Sequence, residues 1–263
     1  RLNAELLLAG TLSLKRLDLY LQFDRPLTPD ELAAFKARLR RRAKREPLQY
    51  IDGEAGFRDL VLRVDGRVLI PRPETELLVD EVLAWARGRE GLHALDVGTG
   101  SGAVALSLAT EGPFARVVAT DVSGDALEVA RANHALAAPG SPVEFREGAD
   151  YAPVRGERFD VVVSNPPYVG EPERGLLDAE VVDWEPPQAL FAGEDGLEVI
   201  RALVAGAPEV LREGGLLALE IGWEQGGAVS GLVRAVEGFG EPRVRRDLAG
   251  RDRIVTAEYG TRE

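Results

Sequence analysis

The stretch from residue 93 to residue 221 alternates apolar, strand-like runs with helix-like segments. The strand-like runs are 93–97, 116–121, 142–146, 159–163 and 215–221, and the helix-like segments between them are 102–110, 124–137 and 197–211. Such alternation is typical of a parallel β-sheet with helices on both faces. We therefore predict an α/β fold with a Rossmann-like, mostly parallel sheet.

The N-terminal part of the chain has a different pattern. Residues 4–21 and 29–45 are predicted to be two helices joined by a short loop, and hence packed against each other. The second helix carries a strong start signal, because Thr28 can cap it, Pro29 suits its first position and Glu31 completes a capping box.

Two β-hairpins are predicted outside the central alternation. Residues 56–70 contain alternating apolar residues around Asp65-Gly66, which indicates a hairpin, and a new helix follows from Thr75. Residues 243–258 indicate a closing antiparallel hairpin at the C-terminus. We expect a helical N-terminal substrate-recognition domain (1–55), a β-hairpin linker (56–73) and the sheet domain (74–263).

Composition excludes several classes of site and partner. The 263 residues include no cysteine, so disulfides, thiolate metal sites and cysteine nucleophiles are excluded, and we expect no metal centre. No run of 18 apolar residues occurs and the first residues lack the apolar core of a signal peptide, so we expect a cytoplasmic protein without membrane contact. A net charge of −12 argues against stable DNA binding.

A glycine-rich loop follows the first strand of the alternation. Gly98, Thr99, Gly100, Ser101 and Gly102 come directly after Leu95-Asp96-Val97. Glycines at this place let a ligand approach the backbone closely, and the ligand is either a dinucleotide or an S-adenosyl group. The GxGxG spacing differs from the GxGxxG of pyrophosphate binders, and Asp96 would attract an ammonium but repel a pyrophosphate. Both features favour S-adenosylmethionine as the cofactor.

Two further acidic positions are candidates for cofactor contacts. Asp121 ends the second strand, where a carboxylate can accept hydrogen bonds from both ribose hydroxyls, although capping of the next helix is an alternative. The loop after the third strand contains Ala149 and Asp150, and Asp150 is placed to accept from the exocyclic amine of adenine. A plain turn is the alternative there.

The motif Asn165-Pro166-Pro167-Tyr168 follows the fourth strand. Ligands of such sheets bind beyond the carboxyl ends of the strands, so this motif and the glycine loop should share one site. An amide NH2 or aromatic amine is a poor nucleophile, and Asn165 and the Pro166 carbonyl can accept its two N–H bonds while Tyr168 stacks on the planar group. No general base is evident. His93 and His134 are expected to have structural roles.

Longer motifs narrow the class of protein to which the chain is similar. Together with Asn165-Pro166-Pro167-Tyr168, the chain resembles the peptide-chain release-factor glutamine methyltransferase family from about residue 40 to residue 258. The motifs that carry this resemblance are Glu46-Pro47-Leu48-Gln49-Tyr50-Ile51-x-Gly53, Leu69-Ile70-Pro71-Arg72-Pro73-Glu74-Thr75-Glu76, Glu185-Pro186 through Ala189-Leu190, Glu194-Asp195-Gly196-Leu197, Glu220-Ile221-Gly222 and Asp247-x-x-Gly250-x-x-Arg253.

The resemblance implies a specific reaction, the N5-methylation of the glutamine in the Gly-Gly-Gln motif of release factors. It implies that the loop Gly98–Gly102 and Asp121 contact the cofactor and that Ala149 or Asp150 lies at the adenine. It also implies that Asn165, Pro166, Pro167 and Tyr168 contact the glutamine. Asn165 is expected to reach the cofactor as well. It also implies that Pro71–Glu76 packs over the methionine end, with Thr75 or Glu76 nearest. The alternatives are an adenine-N6 or guanine-N2 nucleic-acid methyltransferase, a non-catalytic adaptor and a nicotinamide dehydrogenase.

A basic cluster lies at the end of the second predicted helix. Its members are Arg38, Arg40, Arg41, Arg42, Lys44 and Arg45. They would meet either an acidic release-factor surface or ribosomal RNA, which would place the protein near the ribosome. We favour the simpler interpretation, a solvated face at a helix end, where cations also suit the helix dipole.

Overall fold

The N-terminal region is helical in the computed structural model, which describes residues 1–260. Its helices are α1 (Leu2–Leu12), α2 (Asp18–Leu21), α3 (Pro29–Ala43) and α4 (Leu48–Asp52). The predicted capping box is confirmed, since Glu31 N donates to Thr28 Oγ1 and Thr28 N donates to the Glu31 carboxylate. The single helix predicted over 4–21 is wrong. Ser13 adopts a left-handed conformation (φ 54°) and ends α1, with its N–H returned to Gly10 O.

A short antiparallel hairpin follows, formed by β1 (Glu54–Phe57) and β2 (Leu60–Arg63). The predicted hairpin is therefore confirmed, but its turn lies at Arg58-Asp59 and not at Asp65-Gly66. Arg58 holds φ 50° because its backbone N–H donates to Glu76 and its guanidinium bonds Asp80 and Glu111. These tertiary contacts outweigh the local turn preference of Asp65-Gly66, which forms a separate turn after β2.

The central sheet has seven strands in the order β5-β4-β3-β6-β7-β9-β8. Its elements and the helices around them are α5 (Pro73–Ala86), β3 (Leu92–Val97), α6 (Ala103–Glu111), β4 (Phe114–Asp121), α7 (Gly124–Ala137), β5 (Val143–Glu147), β6 (Phe159–Ser164), α8 (Ala179–Trp184), α9 (Glu198–Gly206), β7 (Leu211–Glu220), α10 (Gly226–Arg234), β8 (Arg243–Arg246) and β9 (Asp252–Glu258). The strands β3 to β7 pair in parallel, while β9 pairs antiparallel with β7 and with β8. The predicted mostly parallel sheet with a closing antiparallel hairpin is confirmed.

Some helices differ from the sequence expectation. The helix predicted over 197–211 is shorter, because Pro208 lies in a 3-10 turn (Ala207–Glu209) and β7 already begins at Leu211. The short helix α8 and the helix α10 were not predicted. No helix within residues 1–260 combines the length and apolar character that a membrane crossing requires.

The strand order reverses at β3, and this places a crevice at the carboxyl ends of β3 and β6. The chain goes from β3 outward to β4 and β5, and then returns to the other side of β3 with β6. Ser164 Oγ donates to Val97 O at 2.6 Å and joins the two strand ends. Apolar cores on both faces of the sheet hold these ends rigidly, one beneath α5 and α6 and the other beneath α9 and α10. A crevice at such a reversal is the usual ligand site of open α/β sheets.

Candidate functional site

A cavity of about 280 Å³ occupies this crevice. It brings together the loops that the sequence predicts at the site. Those loops contribute Gly98, Thr99, Gly100, Ser101, Asp121, Ala149, Asp150, Asn165, Pro166 and Pro167 to its lining. Two predicted site residues, Gly102 and Tyr168, are not part of the lining. The sequence-predicted loops therefore do converge on one site.

The glycines of the loop after β3 have different tasks. Gly98 (φ 73°) and Gly100 (φ 54°) adopt left-handed conformations, and a Cβ on either would meet open space, so a ligand can reach this backbone. Gly102 (φ 85°) instead precedes α6, and a Cβ there would stand 3.4 Å from Ala130 Cβ on α7. Gly102 thus allows the close helix packing that positions the loop.

Asp96 lies beneath the glycine loop and is buried. Its Oδ2 accepts from Thr99 Oγ1 at 2.7 Å and from Ala105 N at 3.1 Å, while Oδ1 has no hydrogen-bond partner within the described chain. Burial raises the pKa of Asp96 to about 7, against the lowering effect of these two donors. Asp96 lines the cavity, and a buried carboxylate oxygen that lacks a partner fits the ammonium group of S-adenosylmethionine.

Asp121 ends β4 and lines the same cavity. Its Oδ2 accepts from Gly100 N at 2.8 Å and its Oδ1 from Ser123 N at 2.9 Å. The alternative role, capping of α7, belongs to Ser123, whose hydroxyl accepts from Ala126 N. Burial raises the pKa of Asp121. Each carboxylate oxygen has further lone pairs, so the side chain can still accept from a pair of ligand hydroxyls.

The loop after β5 reaches the cavity through two adjacent residues. Ala149 and Asp150 both line it, and Asp150 adopts a left-handed conformation (φ 47°). The next residue, Tyr151, is buried and donates its hydroxyl to Leu203 O at 2.8 Å, which anchors the loop on α9.

The Asn165–Tyr168 loop presents polar groups to the cavity at its start. The Asn165 side chain donates through Nδ2 to Thr75 Oγ1 at 3.0 Å. Thr75 engages one of the two N–H groups of this amide, and Oδ1 is its single acceptor. Pro166 is buried, and its rigid ring restricts the backbone that carries the Pro166 carbonyl.

Tyr168 is not part of the cavity lining. Its ring packs beside the core between β7 and α9, and its hydroxyl lies 3.4 Å from Glu220 Oε1. Burial, and next the charge of Glu220, raise the pKa of Tyr168. Its carbonyl accepts from Gln225 Nε2 at 2.9 Å, so the end of the loop is fixed by α10.

The structure adds lining residues that residue chemistry alone did not select. Thr75 lines the cavity and Glu76 does not, since Glu76 bonds Arg58 instead. Pro186, Gln188 and Ala189 also line it. Their loop is held by buried Glu185, which accepts from Arg72 Nη2 at 2.5 Å and Ile70 N at 3.3 Å. The only sequence signal for them is that they belong to the longer motifs around residues 69–76 and 185–190.

Both histidines have structural contacts outside the cavity. His93 Nδ1 lies 3.2 Å from Arg212 Nη2, and its backbone N donates to Asp160. His134 Nε2 lies 3.1 Å from Ser141 O, and its ring packs against Phe145. Neither is placed to act on a ligand in the cavity.

Half of the basic cluster, namely Arg38, Arg41 and Arg42, is engaged in ion pairs within the chain. The three ion pairs are Arg38–Asp52, Arg41–Glu46 and Arg42–Glu180, each at 2.5 Å. In addition, Arg41 donates to Tyr50 O, and Arg42 donates to Glu46 O. These arginines therefore fasten α3 to its surroundings, and the last pair joins it to α8.

The fold and this site define an S-adenosylmethionine-dependent methyltransferase. Solved structures with the same fold include a ribosomal protein L11 methylase from Lactobacillus delbrueckii subsp. bulgaricus (TM-score 0.54, 20% identity, 72% of this chain and 81% of the other). A methyltransferase from Pyrococcus furiosus is similar as well (TM-score 0.58, 21% identity, 86% and 97%).

Sequence comparison identifies the family within this class. Residues 1–53 match the PrmC N-terminal domain and residues 73–182 match the methyltransferase small domain. The release factor glutamine methyltransferase of Geobacter sulfurreducens is 42% identical over 99% of this chain and 90% of its own length, and that of Chlorobaculum tepidum is 44% identical over 96% and 88%. The chain belongs to the release factor glutamine methyltransferase family.

Proposed function

We propose that this enzyme transfers a methyl group from S-adenosylmethionine to the side-chain amide nitrogen (N5) of the glutamine in the Gly-Gly-Gln motif of release factors. The observation that carries the proposal is the orientation of Asn165. Its Nδ2 is engaged by Thr75, so its Oδ1 is the group left to accept a hydrogen bond from a substrate NH2. Family membership supports the choice of a release-factor glutamine over other planar amines.

The chain supplies orientation and charge compensation. Asn165 Oδ1 and the Pro166 carbonyl accept the two N–H bonds of the glutamine amide and hold its nitrogen in line for displacement. Bound S-adenosylmethionine supplies an electrophilic methyl group, which the nitrogen takes as the C–S bond breaks, leaving S-adenosylhomocysteine. The two acceptors stabilise the positive charge that develops on the nitrogen, which then releases one proton to water. We propose that Pro167 borders the amide and that the accessible part of the Tyr168 ring stacks on it.

The cofactor contacts belong to the same proposal. Asp96 faces the ammonium group of the cofactor, and the loop Gly98–Gly102 lies along its methionine and ribose parts. Asp121 accepts from the ribose hydroxyls, and Ala149 or Asp150 contacts the adenine. We propose residues 1–55 as the substrate-recognition domain, 56–73 as the linker and 74–263 as the catalytic domain, whose last three residues lie outside the described chain. We also propose that the enzyme works in the cytoplasm near the ribosome, where release factors act, and without stable DNA binding.

Asp121→Ala is expected to weaken S-adenosylmethionine binding by roughly 30- to 1000-fold, because two hydrogen bonds to a carboxylate are worth about 2–4 kcal/mol. Titration calorimetry with S-adenosylhomocysteine measures this. The matched control is Asp125→Ala, the same truncation at an exposed position in the first turn of α7. Equal affinities of the two variants would remove Asp121 from the cofactor site.

The proposed reaction is tested with radiolabelled S-adenosylmethionine and three acceptors: an intact release factor, DNA and ribosomal RNA. Label is expected on the release factor alone. Mass spectrometry should show a mass increase of about 14 Da, one CH2 group, on the glutamine of Gly-Gly-Gln. A release factor with that glutamine changed to alanine is the control and should remain unlabelled. Label on nucleic acid alone would replace the proposal with the adenine-N6 or guanine-N2 alternative.

A further inference from the structure

The side chain of Gln225 joins three parts of the chain that are distant in sequence. Gln225 directly precedes α10 and is half-buried. Its Nε2 donates to Tyr168 O at 2.9 Å and to Gly196 O at 3.4 Å, and its Oε1 accepts from Gly222 N at 2.9 Å. One amide group therefore connects the end of the Asn165–Tyr168 loop, the loop before α9 and the turn after β7.

The connected segments are the motifs Glu194-Asp195-Gly196-Leu197 and Glu220-Ile221-Gly222 and the amide-binding loop that ends at Tyr168. The first two motifs have no role in the proposed reaction, and neither contributes to the lining of the cavity. Gln225 is the residue at which all three meet, although it belongs to none of them. A function for these motifs therefore has to be sought in what Gln225 does to the amide-binding loop.

Both glycines of this junction leave room for the Gln225 amide. A Cβ on Gly222 would stand 3.0 Å from Gln225 Oε1, and a Cβ on Gly196 would stand 3.0 Å from Gln225 Nε2 and overlap Tyr168 O. These distances are shorter than the roughly 3.5–4.0 Å of an ordinary contact between non-bonded atoms. The two glycines thus keep the space that the Gln225 side chain occupies.

The orientation of the Gln225 amide follows from the groups around it. Tyr168 O and Gly196 O are carbonyl oxygens and can only accept, so they require the NH2 side of the amide. The backbone N–H of Gly222 can only donate, so it requires the oxygen. The backbone of Gln225 is fixed as well, because its N–H donates to Gly222 O and its carbonyl accepts from Val229 N, both at 2.9 Å.

We propose that Gln225 is a positioning residue for methyl transfer, whose NH2 group holds the carbonyl end of the Asn165–Tyr168 loop and so sets where the two substrate acceptors lie. This inference rests on the proposed roles of Asn165 Oδ1 and the Pro166 carbonyl. Tyr168 follows these acceptors after two consecutive prolines, whose rings leave few backbone angles free. A shift of Tyr168 O is therefore passed on to the acceptors.

The first test compares Gln225→Ala with Gln225→Glu, which keeps the length of the side chain but replaces the NH2 group by oxygen. At about pH 8 both should lower kcat for methylation of a release factor by roughly 10- to 100-fold, since a misplaced reactive group has effects of that order. Because Gln225 does not line the cavity, the KM for the release factor and the affinity for S-adenosylhomocysteine should each change by less than about 3-fold. Gln22→Glu, the same change at an exposed position after α2, should keep the wild-type kcat.

The second test is the pH dependence of Gln225→Glu, expressed as the ratio of its kcat to that of the wild type at each pH. The introduced carboxyl group faces two carbonyl oxygens, which it repels when it is ionised. When it is protonated, its O–H can donate to Tyr168 O as the NH2 group does. The ratio should therefore rise by about 10-fold as the pH is lowered from about 8 to about 6, while the ratio for Gln225→Ala stays flat.

The charged groups around this position come from two elements. Glu224 adjoins it in sequence, and Asp252 of β9 packs against Gly226, so both favour the protonated form of the introduced carboxyl group. Arg253, which donates to Ile221 O, opposes them. Titration of groups common to both enzymes cancels in the ratio, and circular dichroism at each pH shows whether the variants are folded.

A third measurement needs no turnover. Hydrogen–deuterium exchange of Gln225→Ala should be faster than that of the wild type in peptides covering residues 164–171 and 193–198, and unchanged in peptides from β3 and β4. Faster exchange in an enzyme that methylates no release factor would overturn the proposed function and leave the junction standing. Unchanged exchange in both regions, a wild-type kcat in Gln225→Ala, or a flat kcat ratio in Gln225→Glu would overturn the positioning role.

Discussion

Asn165→Ala should lower kcat for release-factor methylation by about 10²–10³-fold, the usual cost of losing one group that stabilises developing charge. The change removes the oxygen that accepts from the glutamine amide, together with the bond from Nδ2 to Thr75. The Pro166 carbonyl remains, so a residual rate should persist. Affinity for S-adenosylhomocysteine should fall by less than about 10-fold, because Asp121 and the glycine loop retain most of the cofactor contacts. Single-turnover kinetics separate the two effects.

The same truncation at a second asparagine controls for this experiment. Asn3→Ala removes an exposed side chain on α1, far along the chain from the cavity, and should keep the wild-type rate. Thermal unfolding of both variants shows whether the fold survives. If Asn165→Ala turned over at a rate near that of Asn3→Ala, the amide of Asn165 would not be the acceptor that the mechanism requires.

The positions of the site loops could be predicted from the sequence because a parallel sheet has few degrees of freedom. Once β3, β4 and β6 are recognised, their carboxyl ends must meet, and the glycine loop, Asp121 and Asn165 must share a crevice. The orientation of individual side chains is a different matter. Tyr168 follows Asn165 by three residues, yet it is not part of the cavity lining and its hydroxyl lies 3.4 Å from Glu220 Oε1.

The remaining differences arise where distant contacts decide the local structure. The turn of the first hairpin lies at Arg58 because three acidic side chains from α5 and α6 hold that residue, a contact set that no local pattern encodes. The basic cluster of α3 could not be assigned for the same reason. Arg42 pairs with Glu180, which is 138 residues away in sequence. A count of charges in the sequence does not show which members of such a cluster form ion pairs. The fold shows this.

The second large effect is expected at a residue that touches neither ligand. Gly196 has φ 70°, and a Cβ there would overlap the carbonyl oxygen of Tyr168 and stand 2.9 Å from its carbonyl carbon. Gly196→Ala must therefore displace the Asn165–Tyr168 loop, whose end is otherwise held by Gln225. We expect kcat to fall by about 100-fold, since a shift of roughly 1 Å in a reacting group has that effect. The free energy of unfolding should fall by about 2–4 kcal/mol, from backbone strain and overlap together.

Gly140→Ala separates strain from overlap. Gly140 has φ 79°, close to that of Gly196, but a Cβ on it meets nothing within 4 Å. This variant should lose only the roughly 1–2 kcal/mol that a left-handed non-glycine residue costs, measured by urea unfolding, and should keep its kcat. If the two variants lost equal stability and both retained activity, the contact between Gly196 and Tyr168 would not position the loop. Loss of kcat in Gly196→Ala alone would place Glu194-Asp195-Gly196-Leu197 in a structural role, as the support against which the amide-binding loop is fixed.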